Sequence, residues 1–299
     1  MRILVTGGAG YLGSVLCRQA LVDGYDVRIL DRLSHGTGSL SAIAHRNLEI
    51  QRGDIRYAAD LDAALVDMDV VIHLAGLPGW PACEQDSADA NSTHVRGTKL
   101  LCDRTKKKGR LVILASTTSV YGKLPDGTIA HESTLPYPTT LYGKTKLAAE
   151  NIVLGAGGTV LRLATLFGPS PRMRWDLLPH DFCLRAVRQE YIDLYEGDAL
   201  RPFLHVEDAA RLFLRLLQVW VRGEIFNAGS TDLQMTKSWV AGVVSGCTPC
   251  EIRRVEGQDK EGRAYPVAYE KLRQRVAWRP TLTMEETLPI ITSLASVEP

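Results

Sequence analysis

The chain has 299 residues, 45% hydrophobic and 23% charged, with 35 basic against 34 acidic side chains. This is ordinary globular composition with ample material for a core, and a net charge of +1 gives no electrostatic reason to expect nucleic acid or an acidic membrane surface as the main partner. The most apolar late stretch, Leu212 to Val221, is broken by Arg215 and is too short to span a bilayer. Met1 leads straight into the first strand, leaving no room for a cleaved signal, so the expectation is a soluble cytoplasmic protein.

The elements begin with a short buried strand, Arg2 to Thr6, which lacks period-two alternation. Gly7, Gly8, Gly10 and Gly13 then crowd one turn before the apolar-periodic run Leu12, Val15, Leu16, Ala20, Leu21, which predicts a helix. Strand, glycine turn and helix start form a seat for a pyrophosphate, because glycine lets the backbone approach the ligand and the first N–H groups of the helix face the anion. The next strand, Asp26 to Leu30, ends in Asp31, where an acid that binds the ribose hydroxyls of a dinucleotide is expected.

Further on, the pattern predicts a strand at Leu48–Gln51, a short helix at Asp60–Val66 and a buried strand at Asp69–Ala75. A long helix is expected over Asp86–Lys108, whose Lys106, Lys107 and Lys108 suit a solvated helix end. Arg110–Ala115 is a strand, Leu141–Leu154 a helix and Thr159–Leu163 a strand. This alternation argues for a doubly wound parallel α/β sheet.

The rhythm changes at Gly168-Pro-Ser-Pro171. Beyond it, helices are expected at Trp175–Gln189, Val206–Val221, Thr236–Ser245 and Met284–Leu294, with strands at Asp193–Tyr195, Glu224–Asn227 and near Ile252. The expected division is a dinucleotide-binding domain over 1–168 and a smaller C-terminal substrate-binding region over 169–299. Segments near 205–230 are expected to return to the first domain. Ligands of such sheets bind at the carboxyl ends of the strands, which is where the chemistry should sit.

Tyr142 and Lys146 are four apart at a helix start and so share a face. A free phenol, with a pKa of about 10, is a poor base at neutral pH, and a nearby ammonium and an oxidised nicotinamide would both stabilise its phenolate. One strand earlier lies a hydroxyl cluster, Ser116-Thr-Thr-Ser119. Such hydroxyls can hydrogen-bond an oxygen passing between alcohol and ketone, or simply cap the next turn. The six cysteines (Cys17, Cys83, Cys102, Cys183, Cys247, Cys250) read as reduced thiols. Cys247-Thr-Pro-Cys250 lacks the neighbouring ligands that a zinc site needs, and no metal is expected.

Taken together, these residues resemble the extended short-chain dehydrogenase/reductases, specifically the NAD-dependent epimerase/dehydratase group acting on nucleotide sugars. The resemblance runs nearly end to end. It is carried by Thr6 to Gly13, Gly53-Asp54, His73-Leu-Ala-Gly76, Ser116 to Gly122, Tyr142 to Lys146, Leu161-Arg162, Phe167-Gly-Pro169, Arg201 to Asp208 and Phe226-Asn-Ala-Gly229.

The resemblance implies a Rossmann-type sheet and NAD as cofactor. Gly7, Gly10, Tyr11, Leu12 and Gly13 would meet the pyrophosphate, and Asp31 and Arg32 the adenosine ribose. Asp54 and Ile55 would flank the adenine, with Leu74, Ala75 and Gly76 lining the cofactor strand. It further implies Thr117, Tyr142 and Lys146 as catalytic, with Tyr142 as base and acid and Lys146 also on the nicotinamide ribose. Trp80, Thr117, Thr118, His180, Arg201 and Arg263 would meet the substrate, a nucleotide-diphosphate sugar, with the two arginines on its diphosphate. A homodimer through helices 86–108 and 141–154 is also implied.

Several positions depart from the group's pattern. Dehydratases carry an Asp-Glu pair, and decarboxylases a Glu, where this chain has Thr118 and Ser119, so both activities lose their usual acid. His94 and His180 stand where the group has asparagine, either preserving a hydrogen bond or marking an altered substrate. Trp80 either stacks on substrate or packs its own loop. Asp31 favours NAD, whereas Arg32 would suit the 2′-phosphate of NADP. The function expected is NAD-dependent C4 epimerisation through a 4-keto intermediate. The alternatives are a nucleotide-sugar 4-ketoreductase or dehydrogenase, an oxidoreductase on a small non-sugar alcohol, and a non-catalytic NAD-binding sensor.

Overall fold

The computed structural model describes residues 1–41, 43, 45–262 and 264–297. Its first half runs β1 (Arg2–Thr6), α1 (Tyr11–Val22), β2 (Asp26–Asp31), β3 (Leu48–Arg52), α2 (Ala58–Ala64) and β4 (Val70–His73). There follow α3 (Trp80–Gln85), α4 (Ser87–Asn91), a π-helical turn at Ser92–Gly97, α5 (Thr98–Lys106), β5 (Leu111–Thr117), α6 (Leu141–Gly155) and β6 (Thr159–Leu163). The second half has β7 (Thr165–Phe167), α7 (Leu178–Gln189), β8 (Tyr191–Leu194), β9 (Leu200–His205), α8 (Val206–Val219) and β10 (Ile225–Ala228). It closes with β11 (Gln234–Thr236), α9 (Lys237–Cys247), β12 (Glu251–Arg254), α10 (Glu270–Val276) and α11 (Met284–Val297).

Seven strands form one sheet in the order β3-β2-β1-β4-β5-β6-β10, every pair parallel. Strands such as β4 and β6 are buried along their whole length because helices cover both sides of the sheet. On one face, Leu16 and Ala20 of α1 pack with Leu212, Phe213 and Leu216 of α8. On the other, Leu61 of α2, Leu101 of α5 and Val153 of α6 cover the sheet. The chain leaves β1 toward β2 on one side and returns to β4 on the other, which opens a crevice at their carboxyl ends.

A second, smaller core gathers Phe182 of α7, Ile192 of β8, Phe203 of β9, Val240 and Val244 of α9 and Leu288 and Ile291 of α11. After β6 the chain alternates between the two cores. Thus α8 packs on the seven-stranded sheet and β10 joins it, although β9, immediately before α8, joins a separate three-stranded sheet in the order β11-β9-β7.

The structure corrects several boundaries. The long helix expected over Asp86–Lys108 is a succession of pieces that starts earlier, at Trp80. Asp86 leaves helical geometry (φ −132°, ψ 80°) and caps α4 by accepting the Asp89 N–H at 2.8 Å. The π turn then interrupts the path before α5. α7 begins at Leu178, with Pro179 in its first turn, because proline suits that position. The β7–β9–β11 sheet and α10 were not expected, since they lie outside the alternating strand–helix pattern of the first half.

Candidate active site

The glycine turn lies at the mouth of the crevice. Gly7 has φ +76°, and a Cβ on it would fall 2.7 Å from the Ala75 nitrogen, so only glycine lets this turn press against the end of β4. Gly13 packs equally tightly, with its own Cβ position 2.4 Å from the Gly7 carbonyl oxygen. Gly10 precedes α1 with no side-chain cap, which leaves the first-turn N–H groups for an anion. These features fit the pyrophosphate of a dinucleotide. Asp31, at the end of β2, holds the loop by accepting the Ala9 N–H at 3.0 Å and the Leu33 N–H at 2.8 Å.

Tyr142 and Lys146 lie on α6, whose N-cap Thr140 accepts the Gly143 N–H. Thr117, the last residue of β5, donates its hydroxyl to the Ser119 hydroxyl at 3.1 Å and acts on the Tyr142 phenol, favouring its ionised form. Its hydroxyl also accepts the Ser119 N–H at 3.1 Å, which fixes the turn below the phenol. Burial pushes the Tyr142 pKa up to about 12; Glu261 adds to the rise, while Arg174 and the Thr117 hydroxyl oppose it. Burial also presses Lys146 down to about 8, against the opposing field of Glu150. A buried phenol acted on by a hydroxyl, with a buried amine one helical turn on, can exchange a proton with a substrate alcohol. Burial therefore keeps the phenol protonated at neutral pH in the protein without cofactor.

The neighbouring residues of the cluster are held in structural contacts. Ser116 donates to Glu150 at 2.5 Å, and Glu150 is ion-paired with Arg162 in a fully buried pair. The Arg162 guanidinium lies over the Tyr121 ring, 4.8 Å from its centroid, and the Tyr121 hydroxyl donates to Asn227 at 2.7 Å. Thr118 is buried, and its carbonyl accepts the Tyr265 hydroxyl.

Among the expected cofactor residues, Leu74, Ala75 and Gly76 follow β4 beside the glycine turn, and Ile55 is buried below the Gly97 backbone. The Tyr11 side chain is committed elsewhere, its hydroxyl donating to the Gly168 carbonyl at 2.7 Å. The Asp54 carboxylate accepts from Arg56, and Arg32 is paired with Asp89.

Of the expected substrate residues, Trp80 opens α3 with Lys260 over its ring at 4.6 Å. Arg201 is buried and ion-paired with Asp259. Arg263 lies outside the described residues. The substrate contact expected at His180 is corrected. The ring is wholly buried, with Nε2 accepting the Gly168 N–H at 3.1 Å and Nδ1 2.9 Å from the Arg174 carbonyl, so neither nitrogen is left for a ligand. Burial lowers its pKa to about 4.

Sequence reasoning missed four residues near the site: Arg56 and Asp89 at the adenosine end, and Arg174 and Glu261, whose charges act on Tyr142. Arg56 and Arg174 also have carboxylate partners two residues away, but the contacts that bring these four to the site, Arg56 to Asp89 and Arg174 and Glu261 to Tyr142, join distant parts of the chain.

A doubly wound sheet with an uncapped glycine turn, an acid at the end of β2 and a phenol–amine pair beside the crevice defines a dinucleotide-dependent enzyme of the short-chain dehydrogenase/reductase class. Residues 3–229 match the NAD dependent epimerase/dehydratase family, and the chain belongs to that family. It is 29% identical over 305 residues to the low-salt glycan biosynthesis protein Agl12 of Haloferax volcanii, covering 96% of each chain. It is also 29% identical over 248 residues to a UDP-glucose 4-epimerase of Bacillus subtilis, covering 73% of each. The structure of DesIV, a dTDP-glucose 4,6-dehydratase of Streptomyces venezuelae with NAD and TYD bound, superposes with a TM-score of 0.88 at 25% identity, over 98% of this chain and 96% of that one. The cofactor is NAD. No helix among the described residues is long and apolar enough to cross a membrane.

Proposed function

We propose that the protein epimerises a nucleotide-diphosphate sugar at C4. The arrangement that supports this reading is Tyr142 and the buried Lys146 one turn apart on α6, with the Thr117 hydroxyl at the end of β5 acting on the phenol. Bound NAD supplies a reversible hydride acceptor for the sugar carbinol. In this reading Tyr142 takes the proton from the C4 hydroxyl while Thr117 holds the same oxygen. Lys146 favours the phenolate and orients the nicotinamide ribose. The sugar, now a 4-ketone, turns its other face to the cofactor, and Tyr142 returns the proton. Holding the reacting groups near contact supplies much of the rate.

The buried hydroxyls of Thr118 and Ser119 favour epimerisation over dehydration, since neither can protonate a leaving hydroxyl as a carboxylic acid would. Arg201 would take the substrate diphosphate in exchange for Asp259, one anion replacing another on the same fork. Cytoplasmic residence and a homodimer packed through residues 86–108 and 141–154 belong to the same reading, and sedimentation velocity tests the dimer.

The decisive experiment incubates the protein and NAD with a panel of UDP-, dTDP- and GDP-sugars and follows each by proton NMR. A C4 isomer formed without net NADH supports the proposal. Stoichiometric NADH, or a 4-keto product released to solvent, makes the protein a one-way oxidoreductase or a dehydratase and overturns it. Turnover of small non-sugar alcohols in place of all three classes overturns the substrate assignment.

A further inference from the structure

Arg32 directly follows Asp31 at the end of β2, the place where a cation can receive the 2′-phosphate of NADP. Its fork is already engaged. Nη1 and Nη2 donate to the two carboxylate oxygens of Asp89, on α4, at 2.9 and 3.0 Å. The same carboxylate accepts from Arg56 Nη1 at 2.6 Å and from the Thr93 hydroxyl at 3.3 Å. Arg56 is held from its other side by Asp54, with Nε 3.0 and 2.9 Å from the two oxygens. Both guanidiniums at the adenosine end are therefore neutralised, and Asp31 adds a third carboxylate beside them.

Asp89 is well placed to keep this hold. Its backbone N–H is fixed by the Asp86 cap, its side chain is only 17% exposed, and the paired arginines hold its carboxyl below the usual carboxylate range. A bidentate guanidinium–carboxylate pair competes directly with a phosphate for the same fork. A ribose diol needs no cation and meets the Asp31 carboxylate without repulsion.

We propose that Asp89 is a specificity-determining residue: by sequestering Arg32 it denies a 2′-phosphate its counter-charge and sets the preference for NAD over NADP. Asp31 excludes the phosphate by repulsion, and Asp89 excludes it by occupying the guanidinium next to Asp31 that would otherwise attract it.

The test is equilibrium binding of 5′-ADP and 2′,5′-ADP to the full chain by titration calorimetry, which requires no turnover. Asp89→Asn keeps the shape and releases the charge. It is expected to tighten 2′,5′-ADP by about tenfold or more while 5′-ADP changes by less than about threefold. Adding Arg32→Ala to Asp89→Asn should abolish that gain. Arg32→Ala alone, in which a partly exposed side chain is shortened, should leave 2′,5′-ADP binding within about twofold of the parent, because the fork is not available there. The proposal is overturned if Asp89→Asn leaves the ratio of the two affinities unchanged, or if its gain survives loss of Arg32. A tenfold loss of 2′,5′-ADP in Arg32→Ala alone overturns it independently, even if the Asp89 variant does not fold.

Discussion

His94 Nδ1 lies 2.8 Å from the Thr145 hydroxyl, while its Nε2 accepts the Leu77 backbone N–H at 2.9 Å. The accepted proton fixes the tautomer: Nδ1 carries the hydrogen and donates to Thr145, whose hydroxyl in turn reaches the Leu141 carbonyl at 3.0 Å. One buried imidazole thus ties the loop after β4 to the first turn of α6, and its ring meets the Tyr142 ring edge-on at 6.1 Å. Burial, with the Lys146 charge, lowers its pKa to about 3, so it is a neutral bridge at any working pH.

Replacing that bridge should disturb the aim of Tyr142 before it unfolds the protein. His94→Leu is expected to lower kcat by about ten- to a hundredfold, since small misplacements of reacting groups are costly. Stability should fall by about 1–3 kcal/mol in urea unfolding. His94→Asn should recover most of both, and recovery of neither would show that the imidazole ring itself is required.

Tyr142→Phe should lower kcat by a factor of about 10²–10⁴ while leaving NAD affinity within about twofold. The phenol is also open to spectroscopic titration, by subtracting the ultraviolet absorbance of the Phe variant from that of the parent. Without cofactor the midpoint is expected near 12. Saturation with NAD, whose nicotinamide is cationic, should move it down. A midpoint indifferent to NAD would separate Tyr142 from the nicotinamide and defeat the proposed mechanism.

Lys146 should make the cofactor-free protein less stable at neutral pH. Its folded pKa of about 8 lies below the ordinary 10.5, chiefly because burial penalises the ammonium form. Between those two values the unfolded chain binds more protons than the folded one, so stability rises with pH across that window. Below pH 8 the full penalty applies, about 3 kcal/mol for a shift of this size. Lys146→Met should therefore raise urea stability most at pH 7, and the gain should shrink toward pH 10.5. Activity should be lost throughout. A gain independent of pH would mean that the added stability comes from packing.

The Arg162–Glu150 pair predicts a cost of another kind. Its side chains are 3% and 1% exposed, so removing one charge strands the other in the interior. Glu150→Ala should destabilise the protein by about 3–5 kcal/mol in urea unfolding. Replacing both residues with apolar side chains should cost less than the single change. The opposite order would show that the carboxylate matters more to Ser116 and the end of β5 than to Arg162.

Much of this architecture was legible in the sequence because it is local. The glycine turn, Asp31 and the four-residue spacing of Tyr142 and Lys146 are each set by neighbours along the chain, and buried parallel strands declare themselves as apolar runs. The interrupted helix between Trp80 and Lys106 was not legible, since an Asp cap and a π turn leave the polar and apolar residues much as a continuous helix would. Nor were β7, β9 and β11, which lie outside the alternating strand–helix pattern of the first half and find one another only in three dimensions.

What the sequence determined by itself was the class of fold and the placing of Tyr142 and Lys146 on one helix face, because backbone geometry and side-chain periodicity act over a few residues. What only the tertiary structure decided was which charges meet. Arg32 reads as a phosphate ligand until Asp89, 57 residues away, is found on its fork, and His180 reads as a substrate contact until Gly168 and Arg174 are found on its ring. Ion pairs and buried hydrogen bonds join residues by distance in space, and no spacing along the chain records that distance.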